Sequence, residues 1–257
     1  DHTENGEYAT VGGGIANIAS GSRSTVGGGG YNVASKGYAT VGGGYFNAAA
    51  GGHATIAGGA GGFASDYGTV AGGWRNEVGE YAAVGGGWGN LADGFIATTS
   101  GGSYNTASAI HSTIGGGHGN TASHGNTTIG GGYRNSANGN YATVAGGHTN
   151  TAGGCAASVA GGYINTATGY AASVTGGYNN TASGYAASAG GGRDNEAVGN
   201  YSFAGGRRAK ANHEGAFVWA DSNDFDLAST AHNQFIVRTT GGVRIVSAID
   251  ANGRPMA

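Results

Sequence analysis

Apolar and polar positions alternate in short stretches that return about every fifteen residues along most of the chain. In the first complete stretch, Tyr8-Ala9-Thr10-Val11, we call the final apolar position the anchor of the unit. The anchor position is then occupied by Val26, Val41, Ile56, Val70, Val84, Thr99, Ile114, Ile129, Val144, Val159, Val174, Ala189 and Ala204. Eleven of the thirteen steps are fifteen residues long, and the steps 56–70 and 70–84 are fourteen. A fixed short period predicts one small unit stacked many times, because a single unit cannot bury its own apolar side.

Two short strands per unit are expected from this pattern. The alternation in Tyr-Ala-Thr-Val predicts a strand with Ala and the anchor facing inward and with Tyr and Thr facing outward. A second strand should follow the glycine turn, with its inward residue eight positions after the anchor. This second position holds Ala19, Ala34, Ala49, Ala64, Val78, Ala92, Ala107, Ala122, Ala137, Ala152, Ala167, Ala182 and Ala197. Each unit therefore offers only small side chains to a core, and the interior should be thin.

Asparagine occupies the position two residues before the second inward residue in twelve of the fourteen units. It should face inward like that residue, and a buried amide must satisfy its hydrogen bonds. We expect identical asparagines to stack and to bond along the axis or to the turn backbone. These residues are Asn17, Asn32, Asn47, Asn76, Asn90, Asn105, Asn120, Asn135, Asn150, Asn165, Asn180 and Asn195.

Glycine is the most unusual feature of the composition, with 59 glycines against one proline in 257 residues. Its repeat lacks the three-residue period of collagen, and the fixed phase of Val, Ile and Tyr argues against a disordered linker. Glycine stands two positions after the anchor in all fourteen units, which predicts positive φ or a close backbone approach and disfavours helical repeats. The sequence thus predicts an all-β fold, a β-solenoid of about 14 coils.

Charge and cysteine content narrow the functional classes. Eleven basic and fourteen acidic residues give a formal net charge of −3, so nucleic acid is not an expected partner. The single cysteine, Cys155, allows neither an internal disulfide nor a cysteine-based zinc site. No apolar run is long enough to cross a bilayer. We expect no cofactor, no metal and no membrane insertion in this segment.

The repeat rhythm breaks after Ala204. We predict repeats over residues 1–206 and a capping or neck β segment over residues 207–257, with strands in the apolar stretches 217–225, 233–238 and 241–245. The acidic residues Asp221, Asp224 and Asp226 lack the spacing of an EF-hand, so a polar turn is expected there rather than a cation site. Because residues 6–11 match the latter part of a unit, we expect the chain to belong to a longer protein.

The units Tyr38-Ala39-Thr40-Val41-Gly42-Gly43-Gly44 and Asn180-Thr181-Ala182-Ser183-Gly184 resemble the head repeats of trimeric autotransporter adhesins, the YadA-like left-handed β-rolls. The segment 217–245 resembles the region that precedes an endosialidase-type intramolecular chaperone in phage-type tail fibres. This resemblance implies a left-handed β-roll, a homotrimer, extracellular or cell-surface exposure and attachment. The glycine and Thr-Val positions differ from the commonest adhesin repeats, and no chaperone catalytic region is visible before residue 257.

Outward positions are where function is expected. Four or five residues after the anchor, an aromatic ring or histidine recurs at Tyr31, Tyr45, Trp74, Trp88, Tyr104, His118, Tyr133, His148, Tyr163 and Tyr178. Such a column suits stacking on carbohydrate or contact between fibres, and the alternative is packing over the glycine turn or into a seam between chains. The residues predicted to contact a ligand are Tyr45, Trp74, Trp88, Tyr133, Tyr163 and Tyr178.

Three functional classes remain in competition. The thin core favours several chains side by side, and we expect a homotrimeric extracellular fibre or adhesin segment that attaches to a glycan or another surface. A threonine column, at Thr10, Thr25, Thr40 and equivalent positions, raises the alternative of an ice-binding solenoid, and a pure filament or spacer subunit is a third. An enzyme is not expected, because catalysis needs one asymmetric cluster rather than residues in equivalent repeated positions.

Overall fold

A computed structural model describes residues 2–243 of the chain. It contains 32 short strands and, within that range, no helix. The first sixteen strands are β1 (Thr3–Glu4), β2 (Thr10–Val11), β3 (Ile18–Ala19), β4 (Thr25–Val26), β5 (Val33–Ala34), β6 (Thr40–Val41), β7 (Ala48–Ala49), β8 (Thr55–Ile56), β9 (Phe63–Ala64), β10 (Thr69–Val70), β11 (Glu77–Val78), β12 (Ala83–Val84), β13 (Leu91–Ala92), β14 (Thr98–Thr99), β15 (Thr106–Ala107) and β16 (Thr113–Ile114).

The remaining sixteen strands are β17 (Thr121–Ala122), β18 (Thr128–Ile129), β19 (Ser136–Ala137), β20 (Thr143–Val144), β21 (Thr151–Ala152), β22 (Ser158–Val159), β23 (Thr166–Ala167), β24 (Ser173–Val174), β25 (Thr181–Ala182), β26 (Ser188–Arg193), β27 (Glu196–Ala197), β28 (Phe203–Arg207), β29 (Ala209–Ala211), β30 (Phe217–Ala220), β31 (Leu227–Ala228) and β32 (Phe235–Arg238).

The strands form two parallel sheets of sixteen strands each. The odd-numbered strands make the first sheet and the even-numbered strands make the second, and each strand pairs in parallel with the equivalent strand of the next turn. Most registers join residues fifteen apart, such as Thr25 with Thr40. The predicted β-solenoid is confirmed, with about sixteen turns rather than fourteen, and fifteen steps of about 4.8 Å give a rod of about 72 Å. The two additional turns were missed because the steps from Ala204 to Val218 and from Val218 to Ile236 depart from fifteen residues.

The strands of the second sheet are shorter than the four-residue alternation predicted. Only the last two residues of Tyr-Ala-Thr-Val pair as a strand, as in Thr40–Val41. Tyr38 lies in the preceding turn with a φ of 62°, in the left-handed region that non-glycine residues rarely occupy. The tyrosine column therefore belongs to a corner of the coil and does not share the flat face with threonine.

The core is a narrow column of small side chains between the two sheets, with about three from each turn. Ala39, Val41 and Ala49 are fully buried and show the contribution of one turn, and the equivalent residues of the other turns are buried in the same way. This confirms the predicted inward positions. A core of this width gains little from each turn at about 25 cal/mol per Å² of buried apolar area, so backbone ladders and the asparagine column must carry much of the structure.

The twelve asparagines form the predicted buried column. Asn120 is representative, because its Nδ2 donates to the carbonyls of Gly116 at 2.9 Å and Gly132 at 3.0 Å. Its Oδ1 accepts from the backbone N–H of Asn135 at 2.9 Å, and its own N–H donates to Asn105 Oδ1 at 3.0 Å. Each amide thus ties its own glycine turn to the neighbouring turns, which satisfies the buried polar group.

Two corners are one residue shorter than their neighbours, at the steps 56–70 and 70–84. They connect β9 to β10 and β11 to β12, so the pairs Thr55–Thr69 and Thr69–Ala83 are fourteen residues apart. The strands themselves stay in register. The deletions therefore fall at a corner and not within a strand.

The last turns widen and carry a network of ion pairs. β28, β30 and β32 have four or five residues each and continue the second sheet past residue 206, so the proposed division at that residue stays a prediction. The acidic turn is held by arginines, since Asp221, Asp224 and Asp226 each pair with one at 2.8–2.9 Å. A strand was predicted at 241–245, but residues 241–243 form none, and residues 244 and 245 lie outside the described part of the chain.

Candidate binding surface: an exposed aromatic ladder

One corner of the coil carries all six residues predicted to contact a ligand. It lies between each even-numbered strand and the next odd-numbered strand, where successive turns are joined by single parallel bridges from Ile15 to Arg193. The glycine before each bridge residue makes this corner tight. Gly73, for example, has a φ of 89°, and a Cβ on it would lie 2.1 Å from the carbonyl oxygen of Gly87. The side chain that follows the glycines is therefore directed outward in most turns; where Ser103 occupies that position, the ring belongs to the next residue, Tyr104, at a φ of 55°.

Eight rings stack without interruption along this corner. The distances between neighbouring ring centroids run from 4.7 to 5.7 Å, close to the rise of one turn. We call this run the aromatic ladder: Trp74, Trp88, Tyr104, His118, Tyr133, His148, Tyr163 and Tyr178. Stacked and edge-to-face pairs of this kind contribute about 0.5–1.5 kcal/mol each.

All six predicted contact residues lie at this corner and remain partly accessible. Five belong to the aromatic ladder, and Tyr45 stands above it beside Tyr31 and Phe46. Their exposed fractions range from 36% to 50%. The rings thus rest on one another and keep their outer edges in water, which leaves surface for a ligand or for a neighbouring chain.

Arginines accompany the rings, and the sequence analysis missed them. The guanidinium carbon of Arg75 lies 4.4 Å from the ring centre of Trp74, Arg134 lies 5.2 Å from Tyr133, and Arg193 lies 5.2 Å from Tyr178. These distances allow cation–π contact. The available signal was an arginine directly after the aromatic position in two units. The ladder therefore carries a guanidinium group in three separate turns, and the one of Arg193 is also paired with Asp194 at 3.0 Å.

A second stack of rings occupies the corner that precedes the second sheet. Tyr38, His53, Tyr67 and Tyr81 follow one another with centroids 4.6–4.9 Å apart and planes within 7° of parallel. The sequence analysis placed this column on the threonine face because it read the tyrosine as part of the strand. The two ring columns lie at different corners.

Threonine forms rows on both sheets rather than on one. The predicted row follows the outward face of the second sheet, and a further row follows the first sheet from Thr106 to Thr181. A hydroxyl residue often stands two positions later in the same turn, as in Thr121-Ala122-Ser123 and Thr166-Ala167-Thr168. Between residues 106 and 183, the first sheet therefore carries a second hydroxyl beside the first in four of six turns.

No cluster of metal-binding side chains occurs in the part of the chain that the structure describes. Between residues 2 and 243, no group of three or more His, Cys, Asp or Glu side chains is arranged to hold a metal ion. His118 stacks in the aromatic ladder, and its Nδ1 lies 2.8 Å from Ser103 Oγ. The same range contains no helix with the length and apolar character needed to cross a membrane.

The fold defines the class of protein: a repeat protein built as a parallel β-solenoid. No protein-family model matches the chain, and no curated protein is significantly similar to it in sequence.

Proposed function

We propose that this chain is a non-enzymatic, extracellular structural segment of a fibre or adhesin, and that its aromatic ladder attaches it to a surface glycan or to neighbouring fibres. The observation that carries the proposal is the unbroken, half-exposed stack of eight rings with three flanking arginines. Each ring offers a weak contact, and a rigid rod repeats that contact at fixed spacing. Multivalent binding of this kind gains strength without any single strong site.

The assembly that we propose is a homotrimer of left-handed β-rolls, as in the YadA-like heads and phage-type tail fibres that the repeat resembles. Apolar side chains on the outside of the last turns support association, since Phe225 and Phe235 are about three-quarters exposed and Trp219 and Val237 lie nearby on β30 and β32. Exposed apolar clusters of this kind are typical of interaction surfaces. Packing of three chains around a common axis would also bury part of the surface of each solenoid, whose own core is small.

The test combines mass with binding. Light scattering should give three times the chain mass, whereas a monomer would contradict the trimer. Glycan-array binding should be lost in the double variant Trp74→Ala, Trp88→Ala. The matched control is His53→Ala, Tyr67→Ala, which removes two stacked rings from the other ring column and should bind as the unmodified protein does. Equal binding by both double variants would refute attachment through the aromatic ladder, and the absence of any binding would favour a pure spacer.

A second candidate, ice binding, is favoured by the paired hydroxyls on the first sheet. Regular hydroxyls on a flat and rigid face could order water along the solenoid. Inhibition of ice recrystallisation at micromolar protein would support this function, and its loss in Thr121→Lys with Thr151→Lys would assign it to this face. Retention of full activity in that variant would exclude the face.

A further inference from the structure

One turn of the solenoid departs from all its neighbours at the aromatic corner. Eleven turns lie between Tyr31 and Tyr178, and ten of them carry a ring four or five residues after the anchor. The exception has Ala60 and Gly61 at these two positions. Because the backbone bridges Tyr45–Ala60 and Ala60–Trp74 are intact, the missing ring leaves a gap in the column and does not shift the coil.

The gap is a notch of about 390 Å³, lined by Tyr45, Phe46, Ala60, Gly61, Trp74 and Arg75. The rings on its two sides belong to turns that are two steps apart, which is about 9.6 Å along the axis. Van der Waals contact needs about 3.5–4.0 Å between facing atoms. The notch is therefore wide enough for one ring-sized group with both faces covered, and too narrow for two.

The two walls differ in chemistry. Phe46 stacks on Tyr31 with centroids 4.8 Å apart and planes 17° from parallel, so its opposite face is directed along the axis toward the notch. On the other side, the Arg75 guanidinium lies over the Trp74 ring at 4.4 Å. Within residues 2–243, Arg75 forms no salt bridge, and neither do Arg23 and Arg134, whereas Arg193, Arg207, Arg208 and Arg238 each pair with an aspartate. The notch thus combines apolar faces with a cation that has no carboxylate partner in the described chain.

We propose that this notch binds one carboxylate-bearing pyranose ring, of the uronic acid type, within an acidic polysaccharide. The C–H faces of the sugar would take the place of the missing ring between Phe46 and the Trp74–Arg75 pair, and its carboxylate would pair with Arg75. The notch is open to solvent, so the ring hydroxyls and the flanking sugars would stay in water. A tyrosine or tryptophan side chain from a protein partner would fill the same space and leave the arginine unpaired, which disfavours that occupant. This assignment rests on the proposed attachment function and specifies its ligand.

The probe is an oligogalacturonate trimer, compared with its neutral methyl ester. Binding would be followed by tryptophan fluorescence and by calorimetry on the full chain. Ala60→Tyr places in the notch a residue that equivalent turns already hold, and it should abolish binding while the protein stays folded. Arg75→Gln should weaken binding of the acid by about tenfold and remove the preference for the acid over the ester, since a hydrogen bond to a charged group is lost.

Two control variants make the result specific. Ala60→Ser leaves the notch empty, and Tyr81→Ala removes a ring from the other ring column, outside the aromatic ladder, so both should bind like the unmodified chain. The assignment is overturned if Ala60→Tyr binds the acid unchanged, if acid and ester bind equally, or if neither binds. In each of those cases the aromatic-ladder variants described above decide separately whether the wider attachment function stands.

Discussion

The buried asparagine column makes a sharp energetic prediction at Asn120. In Asn120→Ala, the backbone N–H of Asn135 loses its acceptor at 2.9 Å, and the carbonyl of Gly116 loses its donor at 2.9 Å. The carbonyl of Gly132 loses one donor but keeps the His118 N–H. The substitution therefore leaves one fully buried donor and one partly buried acceptor without their partners.

The magnitude follows from these two groups. An unsatisfied buried donor costs about 1–3 kcal/mol, and a lost hydrogen bond at a partly buried carbonyl adds about 0.5–1.5 kcal/mol. The small void left by the amide contributes further. We expect Asn120→Ala to lower the free energy of unfolding by about 2–4 kcal/mol. In a repeat array the damage should be confined to the turns that flank residue 120.

Urea unfolding followed by far-ultraviolet circular dichroism would measure the loss, and hydrogen exchange would locate it. Asn138→Ala is the matched control, because Asn138 is exposed and should change stability by no more than about 0.5 kcal/mol. Gly62→Asn is the converse test, since Gly62 occupies the asparagine position and its added Cβ would meet Asn47 Oδ1 at a tight but adjustable 3.1 Å. It should stabilise by about 1 kcal/mol. If Asn120→Ala and Asn138→Ala unfold at the same urea concentration, the column does not carry the energy assigned to it.

Three further substitutions test other parts of the coil. Gly73→Ala should lower the free energy of unfolding by about 3 kcal/mol or more, because Gly73 has a positive φ and its added Cβ would lie 2.1 Å from a backbone oxygen. Gly72→Ala is the control: a Cβ on Gly72 would have no atom within 4 Å, so thermal unfolding should be unchanged or shifted slightly upward. Ile96→Asn should stabilise by about 1 kcal/mol in the same assay, because Ile96 is exposed at a φ of 57° that asparagine tolerates better; a loss of stability would contradict this reasoning. Hydrogen bonds from the Thr240 backbone N–H and from Arg238 hold the pKa of Asp221 well below its usual range. The ionised Asp221 therefore stabilises the fold fully above the ordinary carboxyl pKa, and this contribution is lost only as the pH falls through the lowered pKa. Asp221→Asn should therefore speed hydrogen exchange in the last turns at pH 7 and flatten its dependence on acid pH, and an unchanged pH profile would count against the ion pair.

The fold was predictable where one residue type has one physical role in every turn. The anchor, the second inward alanine and the asparagine column all follow from period and burial, as Val41, Ala49 and Asn47 illustrate. The left-handed tyrosines were not predictable, because period-two alternation in Tyr38-Ala39-Thr40-Val41 looks the same whether Tyr38 begins a strand or ends a turn. Only the packing of successive turns decides between them, and that packing is not encoded within one unit.

The site divides in the same way. The aromatic corner was predicted because rings recur at one phase, which placed Trp74 and Tyr133 on one surface. The notch was missed because it depends on contacts between turns, whereas the arginines directly after Trp74 and Tyr133 were a local signal that a search for repeated positions overlooks. Arg75 matters through its neighbour Trp74, and Ala60 matters only because the residues one turn above and below it are rings. An interpretation based on the shared period of the units does not register such differences between individual turns.

In a repeat protein, specificity should be sought where the repeat fails. The turn that contains Ala60 also has glycine in place of the buried asparagine, at Gly62, and is followed by the first shortened corner. These changes all weaken the stack locally, since one amide bridge and one ring pair are absent. Natural sequences accept such local losses where a site needs them, whereas neutral drift would scatter them over different turns. Their concentration in one turn, next to an unpaired cation and between two aromatic walls, is the reason to place a ligand at this point of the rod.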